Sequence, residues 1–322
     1  MVSKGPRVHE TLASVGEQEV IRAITAIAGS SLNGDDAAVL HPGAPNHLTV
    51  VATDMMVEGN HFRQEWSTPE EVGEKIILRN FADVESMGAR PVASLLAIAA
   101  PPDTPLEFVR GLARGIAKRQ DKYNAELVGG DVTHSSQIVI TLTALGALGG
   151  DLPALTLSAA RPGQTVIAHG RIGWAGAGLA LLQRYGRAVP SEFAPLVKAQ
   201  CAPWIDPGRG VVARAAGAKA MTDNSDGLIQ DLTTVATKSG VGIDLDSAAL
   251  EPDDLLVAAA RALDADPWEW VLAGGEDHTL IGTTPGDVPT GFVPIGRTTA
   301  ARDTGVVVDG RKPQFSAGWS AL

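Results

Sequence analysis

The sequence predicts an α/β protein of the α+β type that is built from two domains. Strand-like apolar runs alternate with helix-like segments along the chain. Its 322 residues exceed what one hydrophobic core usually serves. The sequence turns to Gly, Pro and Ala between Leu148 and Gly163, which predicts domains at 1–150 and 151–322.

The first half is expected to alternate strands with two helices. The Thr68 to Glu71 capping box, with Pro69 at the first helical position, predicts a helix that ends near Met87. A second such box at Thr104 to Glu107 predicts a helix through about Gln120. A short strand at 126–128 is expected to stop at Gly129-Gly130-Asp131. Further strands are predicted at 48–53, 92–99 and 138–143.

The second half continues the same alternation. The glycine-rich stretch 173–178 leads into a predicted Ala/Leu-rich helix that ends at Gln183, and other helices are predicted at 208–216 and from about 227. Strands are predicted at 165–168, 219–222, 278–282 and 306–308. No heptad or short repeat interrupts this order.

Composition limits the classes of partner. The chain carries 37 acidic and 26 basic residues, a net charge of −11, without a dense basic run. Nucleic acid and anionic membranes are therefore poor candidates. A single cysteine, Cys201, and the lack of a membrane-length apolar run favour a cytoplasmic protein.

Aspartates recur at predicted strand ends and helix starts. Read singly, each is a turn residue or a helix cap. Together, oxygen-rich and histidine-poor clusters favour Mg²⁺ over zinc or copper, and such ions neutralise charge during phosphoryl transfer. The clusters are Gly34-Asp35-Asp36, Thr53-Asp54, Asp83, Gly129-Gly130-Asp131 and Asp223 to Gly227.

Asp83 is the carboxylate that can be placed from local pattern alone. Helical spacing puts it on one stripe with Ile76 and Asn80. A buried carboxylate requires a cation or strong donors. A metal ion and a salt bridge to Arg79 or Arg90 remain equal alternatives at this point.

In their order, these motifs resemble the thiamine-monophosphate kinase family, within the superfamily of aminoimidazole ribonucleotide synthetase. The resemblance spans nearly the whole chain and rests also on Asp54 to Phe62, Asn80 to Ala89 and Gly274-Gly275-Glu276-Asp277. It implies a two-domain fold whose N-terminal sheet pairs in a homodimer. The implied reaction passes the γ-phosphoryl of ATP directly to thiamine monophosphate with the help of several Mg²⁺ ions.

The resemblance also implies roles for individual positions. It assigns catalysis through bound metal to the six aspartates of the metal set. It assigns nucleotide contacts to Gly130, Asp131 and Ser225, and substrate contacts to His61, Glu276 and Trp319. The metal set is Asp35, Thr53, Asp54, Asp83, Asp131, Asp223 and Asp226.

Three positions depart from the family pattern: Asn33, His134 and Leu157. Leu157 stands where an arginine that meets the nucleotide is expected, and leucine supplies no donor. Arg161 and Arg171 are the nearby substitutes. Two alternatives therefore stay open: another ATP-dependent synthetase of the superfamily, and a thiamine-phosphate-binding homologue without turnover.

Overall fold

Two β-sheets, formed by strands from opposite halves of the chain, organise the fold. The computed structural model describes residues 10–32, 48–300 and 305–318. Its helices and two sheets confirm the predicted α/β class. The domain division at 150 stays a prediction, and the strands of the two sheets fall on either side of it.

The first sheet has four strands in the order β1-β4-β2-β3. Strand β4 pairs antiparallel with both β1 and β2, and β2 pairs parallel with β3. The elements of this half are α1 (Leu12–Val15), α2 (Glu17–Ala28), β1 (Leu48–Val57), α3 (Pro69–Ser86), β2 (Arg90–Ala100), α4 (Leu106–Tyr123), β3 (Glu126–His134) and β4 (Val139–Leu148).

The second sheet has six strands in the order β10-β7-β9-β5-β8-β6. All neighbours pair antiparallel except β10 and β7. This half contains β5 (Thr165–His169), α5 (Trp174–Tyr185), a 3₁₀ turn (Ser191–Phe193), α6 (Ala194–Cys201), α7 (Arg209–Ala215), β6 (Met221–Asp223), α8 (Leu228–Ser239), β7 (Val241–Leu245), α9 (Asp254–Leu263), α10 (Pro267–Ala273), β8 (Leu280–Thr284), β9 (Val293–Ala300) and β10 (Val306–Val308).

Helix α3 connects the two halves. On one side it packs against β1 and β4, where Phe81 and Val84 join the core of the first half. On the other side, Leu78 and Ala82 pack with Met221 of β6 in a separate apolar cluster. Because α3 is buried between both sheets, a side chain on the seam between them is held from two directions.

The predicted start of α3 is confirmed. The Thr68 hydroxyl accepts a hydrogen bond from Glu71 N, and the Glu71 carboxylate accepts one from Thr68 N at 2.8 Å. The predicted helix α4 is present, but its predicted capping box is wrong, because Pro105 takes the cap position and no side chain caps the helix. Thr104 is instead buried, and its carbonyl accepts a hydrogen bond from Leu12 N.

Strand β3 does not stop at the Gly-Gly-Asp sequence as predicted. It runs on to His134, and the register against β2 shifts between Ser94 and Leu95. The strand can continue through Gly130 because this residue has no side chain. A Cβ at this position would lie 1.9 Å from Leu96 O. The close approach of backbone to backbone explains the glycine.

The first sheet has one covered and one open face. Along β1, Ala52 and Asp54 face the helices, whereas Val51 and Met55 are 61% and 52% exposed. Leu95 of β2 lies on the same open face, opposite Thr143 in the register. No helix within the described ranges is both long and apolar enough to cross a lipid bilayer.

Candidate functional site

Three charged residues of α3 lie one helical turn apart along the seam between the two sheets. Lys75, Arg79 and Asp83 follow i, i+4, i+8 spacing, which places them on one side of the helix. Lys75 is buried, and only 11% of the Arg79 side chain is exposed. The stripe therefore leads from a cavity near Lys75 to a group of carboxylates near Asp83.

The carboxylates at the Asp83 end repel one another. Burial, followed by the charges of Asp223 and Asp54, raises the pKa of Asp83 to about 8. Burial and Asp223 also raise the pKa of Asp226. Neither Arg79 nor Arg90 forms an ion pair with Asp83, so the salt-bridge alternative is not realised. We call Asp54, Asp83, Asp223 and Asp226 the acidic seam.

Two packed loops hold the second-half side of this seam. Glu276 N donates to Ser225 O at 2.8 Å, and His278 N donates to Asn224 O at 2.9 Å. Glu276 and His278 both adopt positive φ, a conformation that is uncommon outside glycine and that marks a constrained loop. His278 Nδ1 lies 2.8 Å from Asp223 Oδ2, which fixes the orientation of that carboxylate.

The donor set fits a hard divalent cation by its chemistry. Besides the repelling carboxylates, two buried amide oxygens, Asn80 Oδ1 and Asn224 Oδ1, accept no hydrogen bond from any described residue. Unpaired buried oxygens beside excess negative charge are the environment that an ion satisfies. However, no three acidic, histidine or cysteine side chains within the described ranges lie close enough to form a ready-made metal cage.

A cavity of about 220 Å³ opens at the Lys75 end of the stripe. The structure brings together here two of the residues assigned to the substrate, His61 and Glu276. Arg63 lies over the ring of Trp66, with 4.5 Å from its guanidinium carbon to the ring centroid. The wall thus combines aromatic surface with charged groups of both signs.

Glu276 is the anion of this cavity. Burial alone would raise its pKa, but Lys75, Gln200 and Arg79 together lower the pKa to about 2. Its Oε1 lies 3.1 Å from Lys75 Nζ and 3.4 Å from Arg79 Nη1, and its Oε2 accepts from Gln200 Nε2 at 2.7 Å. Glu276 therefore stays ionised across the physiological range.

The imidazole of His61 is held in a neutral form. Burial and then the positive charge of Arg79 lower its pKa. Its Nδ1 accepts a hydrogen bond from Val57 N at 3.1 Å, which leaves the proton of the neutral ring on Nε2. His61 is thus a hydrogen-bond donor rather than a cation near neutral pH.

Other assigned residues lie away from the seam within one chain. Thr53 and Asp131 lie on the open face of the first sheet, whereas Asp54 faces the helices. Gly130 also lies on β3, and β3 and β1 are opposite edges, about 14 Å apart at ordinary strand spacing. Ser225 is close to the seam, with its Oγ 3.5 Å from Asp223 Oδ1.

Asp35 and Trp319, assigned to metal and substrate, fall outside the described residues. The preceding Gly318 packs against the second-half loop, since a Cβ on it would lie 2.3 Å from Asp226 O.

Sequence reasoning missed Lys75, Gln200 and Trp66 and treated Arg79 only as a salt-bridge partner. The signal that identifies the first of these is the charge spacing on α3, where Lys75 and Arg79 share a side of the helix with Asp83. Gln200 and Trp66 reach the cavity from α6 and from the loop after β1. Nothing in the local sequence distinguishes them.

The expected substitutes for the missing arginine are engaged elsewhere. Leu157 packs against the apolar core of the second half. Arg161 donates to Ser158 O and Ala160 O, at 3.0 and 2.7 Å. Arg171 lies over the ring of Trp174, 4.7 Å from its centroid.

Comparisons with known proteins place the chain in a family. Residues 34–148 match the family described as AIR synthase related protein, N-terminal domain. The thiamine-monophosphate kinase of Corynebacterium glutamicum is 61% identical over 97% of this chain and 95% of its own length. That of Mycobacterium tuberculosis is 43% identical over 90% of this chain and 85% of its own length.

A solved structure shares the whole architecture. The structure of AaThiL complexed with AMPPCP and TMP matches with a TM-score of 0.78 and 29% identity, over 98% of this chain and all of that one. Together with the two kinases, it extends the likeness across both sheets and the seam between them. The chain belongs to the thiamine-monophosphate kinase family.

Proposed function

We propose that this protein transfers the γ-phosphoryl group of ATP to thiamine monophosphate, giving thiamine diphosphate and ADP. One observation carries the proposal: Arg79 of α3 connects a cavity containing His61 and Glu276 to the acidic seam. This arrangement occurs in a chain that is 61% identical to a thiamine-monophosphate kinase. A donor site and an acceptor site must meet in this way for direct transfer.

The cavity suits the acceptor by its chemistry. A thiazolium ring is a cationic aromatic group, and the indole of Trp66, which already packs against the Arg63 guanidinium, gives the cavity an aromatic wall for such a cation. Ionised Glu276 adds a negative charge, and the neutral imidazole of His61 lines the same cavity. The acceptor phosphate is already anionic near neutral pH, so transfer requires positioning and charge neutralisation rather than a strong base.

We propose that Mg²⁺ is the metal, because the available donors are carboxylate, hydroxyl and amide oxygens. Several bound Mg²⁺ ions would neutralise the charge of the phosphate groups. In this proposal Gly130, Asp131 and Ser225 contact the nucleotide. Four of the proposed ligands are the residues of the acidic seam, Asp54, Asp83, Asp223 and Asp226. The other three are Asp35, Thr53 and Asp131.

We also propose a homodimer formed through the open face of the first sheet. Val51, Met55 and Leu95 give that face a large apolar surface, which isolated soluble chains rarely expose. Thr53 and Asp131 lie on the same face. Pairing two such faces would bring these two residues into a closed site that one chain does not form. A cytoplasmic location stays part of the proposal.

The direct experiment mixes purified protein with ATP, Mg²⁺ and thiamine monophosphate and separates the products by chromatography. Thiamine diphosphate and ADP should form in equal amounts. Folded protein that releases ADP only with another substrate would assign it to a different ATP-dependent synthetase. Tight binding of thiamine monophosphate without ATP consumption would identify a homologue without turnover, the alternative that Leu157 motivates.

A further inference from the structure

Arg79 lies on α3 between Lys75, which lines the cavity, and Asp83 of the acidic seam. Its Nε lies 3.6 Å from Asp54 Oδ2, and its Nη1 lies 3.4 Å from Glu276 Oε1. Its charge lowers the pKa of His61 and of Glu276 on the cavity side, and opposes the raised pKa of Asp83 on the seam side. The guanidinium therefore acts on both sites at once.

The hydrogen-bonding capacity of Arg79 is largely unused. A guanidinium carries five N–H donors. Within the described residues, Arg79 makes one hydrogen bond, the long contact from Nη1 to Glu276, and its buried Nε has no acceptor. A nearly buried cation with unused donors is costly unless a ligand supplies the acceptors.

Lys75 provides the contrast one turn earlier on the same helix. Its Nζ lies 3.1 Å from Glu276 Oε1 and donates to His61 O at 3.1 Å, so that its protein partners are already in place. Lys75 thus balances the charge of Glu276. Arg79 instead lies between two carboxylates without a short hydrogen bond to either, with Nη1 3.4 Å from Glu276 Oε1 and Nε 3.6 Å from Asp54 Oδ2.

We propose that the Arg79 guanidinium binds the phosphate of the acceptor where the cavity meets the acidic seam, and that it is a catalytic residue. This inference rests on the proposed function. A phosphate offers several oxygens in the geometry that a guanidinium fork pairs with through two parallel hydrogen bonds. Once Asp54 binds metal, Arg79 is the cation that remains for the phosphate.

In the transfer step, an oxygen of the acceptor phosphate forms the new bond to the γ-phosphorus of ATP. The bond from that phosphorus to the bridging oxygen breaks, and the electron pair leaves with ADP. Arg79 would hold the attacking phosphate in line and offset the negative charge shared by the two groups. No proton transfer to Arg79 is involved, because a guanidinium remains charged.

The test compares the affinities of thiamine monophosphate and thiamine, which differ only by the phosphate. Calorimetry with Mg²⁺ and without ATP measures both ligands for the native protein and for Arg79→Gln and Arg79→Lys. The control is Arg114→Gln, since Arg114 is an exposed arginine of α4 paired with Glu70 and Glu107. Circular dichroism verifies that each variant is folded.

We expect Arg79→Gln to reduce the preference for the phosphorylated ligand by roughly 10- to 100-fold, with thiamine affinity changed less than about threefold. Arg79→Lys should keep part of that preference, and Arg114→Gln all of it. An unchanged preference in Arg79→Gln, or an equal loss for both ligands, would overturn the inference. If Arg79→Gln does not fold, a fully native preference in Arg79→Lys would overturn it.

A separate assay distinguishes this inference from the proposed function. Failure of the native protein to make thiamine diphosphate would contradict the function itself. Native turnover combined with an unaltered ligand preference in the Arg79 variants would contradict only the role of Arg79.

Discussion

At the residue scale, the unpaired carboxyl group of Asp83 is the feature that most needs an explanation. It is half-buried beside Asp54 and Asp223, and no described residue forms an ion pair with it. Its pKa of about 8 means that the metal-free protein holds it protonated near neutral pH. A half-buried carboxyl beside two other carboxylates destabilises the fold when it is ionised, so its environment indicates a role in ligand binding.

Asp83→Asn should therefore separate activity from stability. We expect the rate of product formation to fall at least about 100-fold, because an uncharged amide binds a divalent cation poorly. In EDTA, the folded carboxyl keeps its proton to about pH 8 while the unfolded one loses it near 3.8, so native stability falls as pH rises between these values. The variant should lack that fall and therefore be more stable than the native protein at pH 8, by up to roughly 5 kcal/mol.

Thermal unfolding in EDTA at pH 5 and pH 8 measures this effect. Asp151→Asn, which changes an exposed aspartate outside the seam, is the matched control. Equal pH dependence in the native protein and in Asp83→Asn would contradict the environment described for Asp83.

Glu276→Gln should have the opposite effect on stability. It leaves Lys75 and Arg79 buried beside an uncharged amide, which should cost roughly 3–5 kcal/mol. Because the folded pKa is about 2 and the ordinary value 4.5, this contribution is complete above about pH 4.5 and is lost as pH falls toward 2. Denaturant unfolding should therefore show that, below about pH 4.5, the free energy of unfolding depends less on pH in the variant than in the native protein.

The control for Glu276→Gln is Glu192→Gln, an exposed glutamate for which we expect a change of less than about 0.5 kcal/mol. A variant of Glu276 as stable as this control would contradict the buried ion pairs.

At the element scale, α3 positions both halves of the site, and α4 positions α3. The two helices cross at glycines with no room for a side chain. A Cβ on Gly115 would lie 2.0 Å from Glu70 O, and a Cβ on Gly73 would lie 2.2 Å from Leu112 O. A shift of α3 would move Lys75, Arg79 and Asp83 together.

Gly115→Ala should force the two helices apart. We expect a loss of roughly 1–3 kcal/mol from overpacking, together with reduced turnover. Chemical denaturation and the product assay measure the two effects. Gly286→Ala is the control, because nothing lies within 4 Å of its added Cβ. Native-like stability in Gly115→Ala would show that the helices can separate without cost.

Elements with a regular local pattern were predictable from the sequence, and those defined by tertiary contact were not. Thr68 and Glu71 cap α3 as predicted, since the capping box is a local interaction. The same pattern at Thr104 forms no capping box, because Pro105 takes the cap position and Thr104 is buried against the distant segment of Leu12. Strand β3 passed through Gly129-Gly130 because pairing with β2 outweighs local turn preference.

The candidate site shows the same division. Ordered motifs identified Asp54, Asp83 and Asp223, which the fold gathers at one seam. Gln200 joins Glu276 through a contact between α6 and the loop before β8, a pairing that no spacing in the sequence reveals.

At the scale of the whole molecule, the open face of the first sheet exposes the apolar side chains on which the proposed dimer rests. Val51→Glu would place a charge on the open face that forms the proposed dimer interface, where a buried unpaired charge is costly. We expect light scattering to give twice the 33.3 kDa chain mass for the native protein and the single mass for the variant. Val293→Glu changes an equally exposed valine of the second sheet and should remain dimeric.

The result that would contradict this interface is a native protein that remains monomeric at micromolar concentration. A dimer unaffected by Val51→Glu would place the contact on another face.

The central claim is that phosphate passes directly from ATP to the acceptor across the seam beside α3. A single-turnover reaction with ATP labelled in its γ-phosphoryl group tests it most directly, using the native protein, Asp223→Asn and the Asp151→Asn control. The label should appear in the terminal phosphoryl of thiamine diphosphate with the native protein and the control, and at least about 100-fold more slowly with Asp223→Asn. Label found only in inorganic phosphate, or equal transfer by Asp223→Asn, would contradict the account.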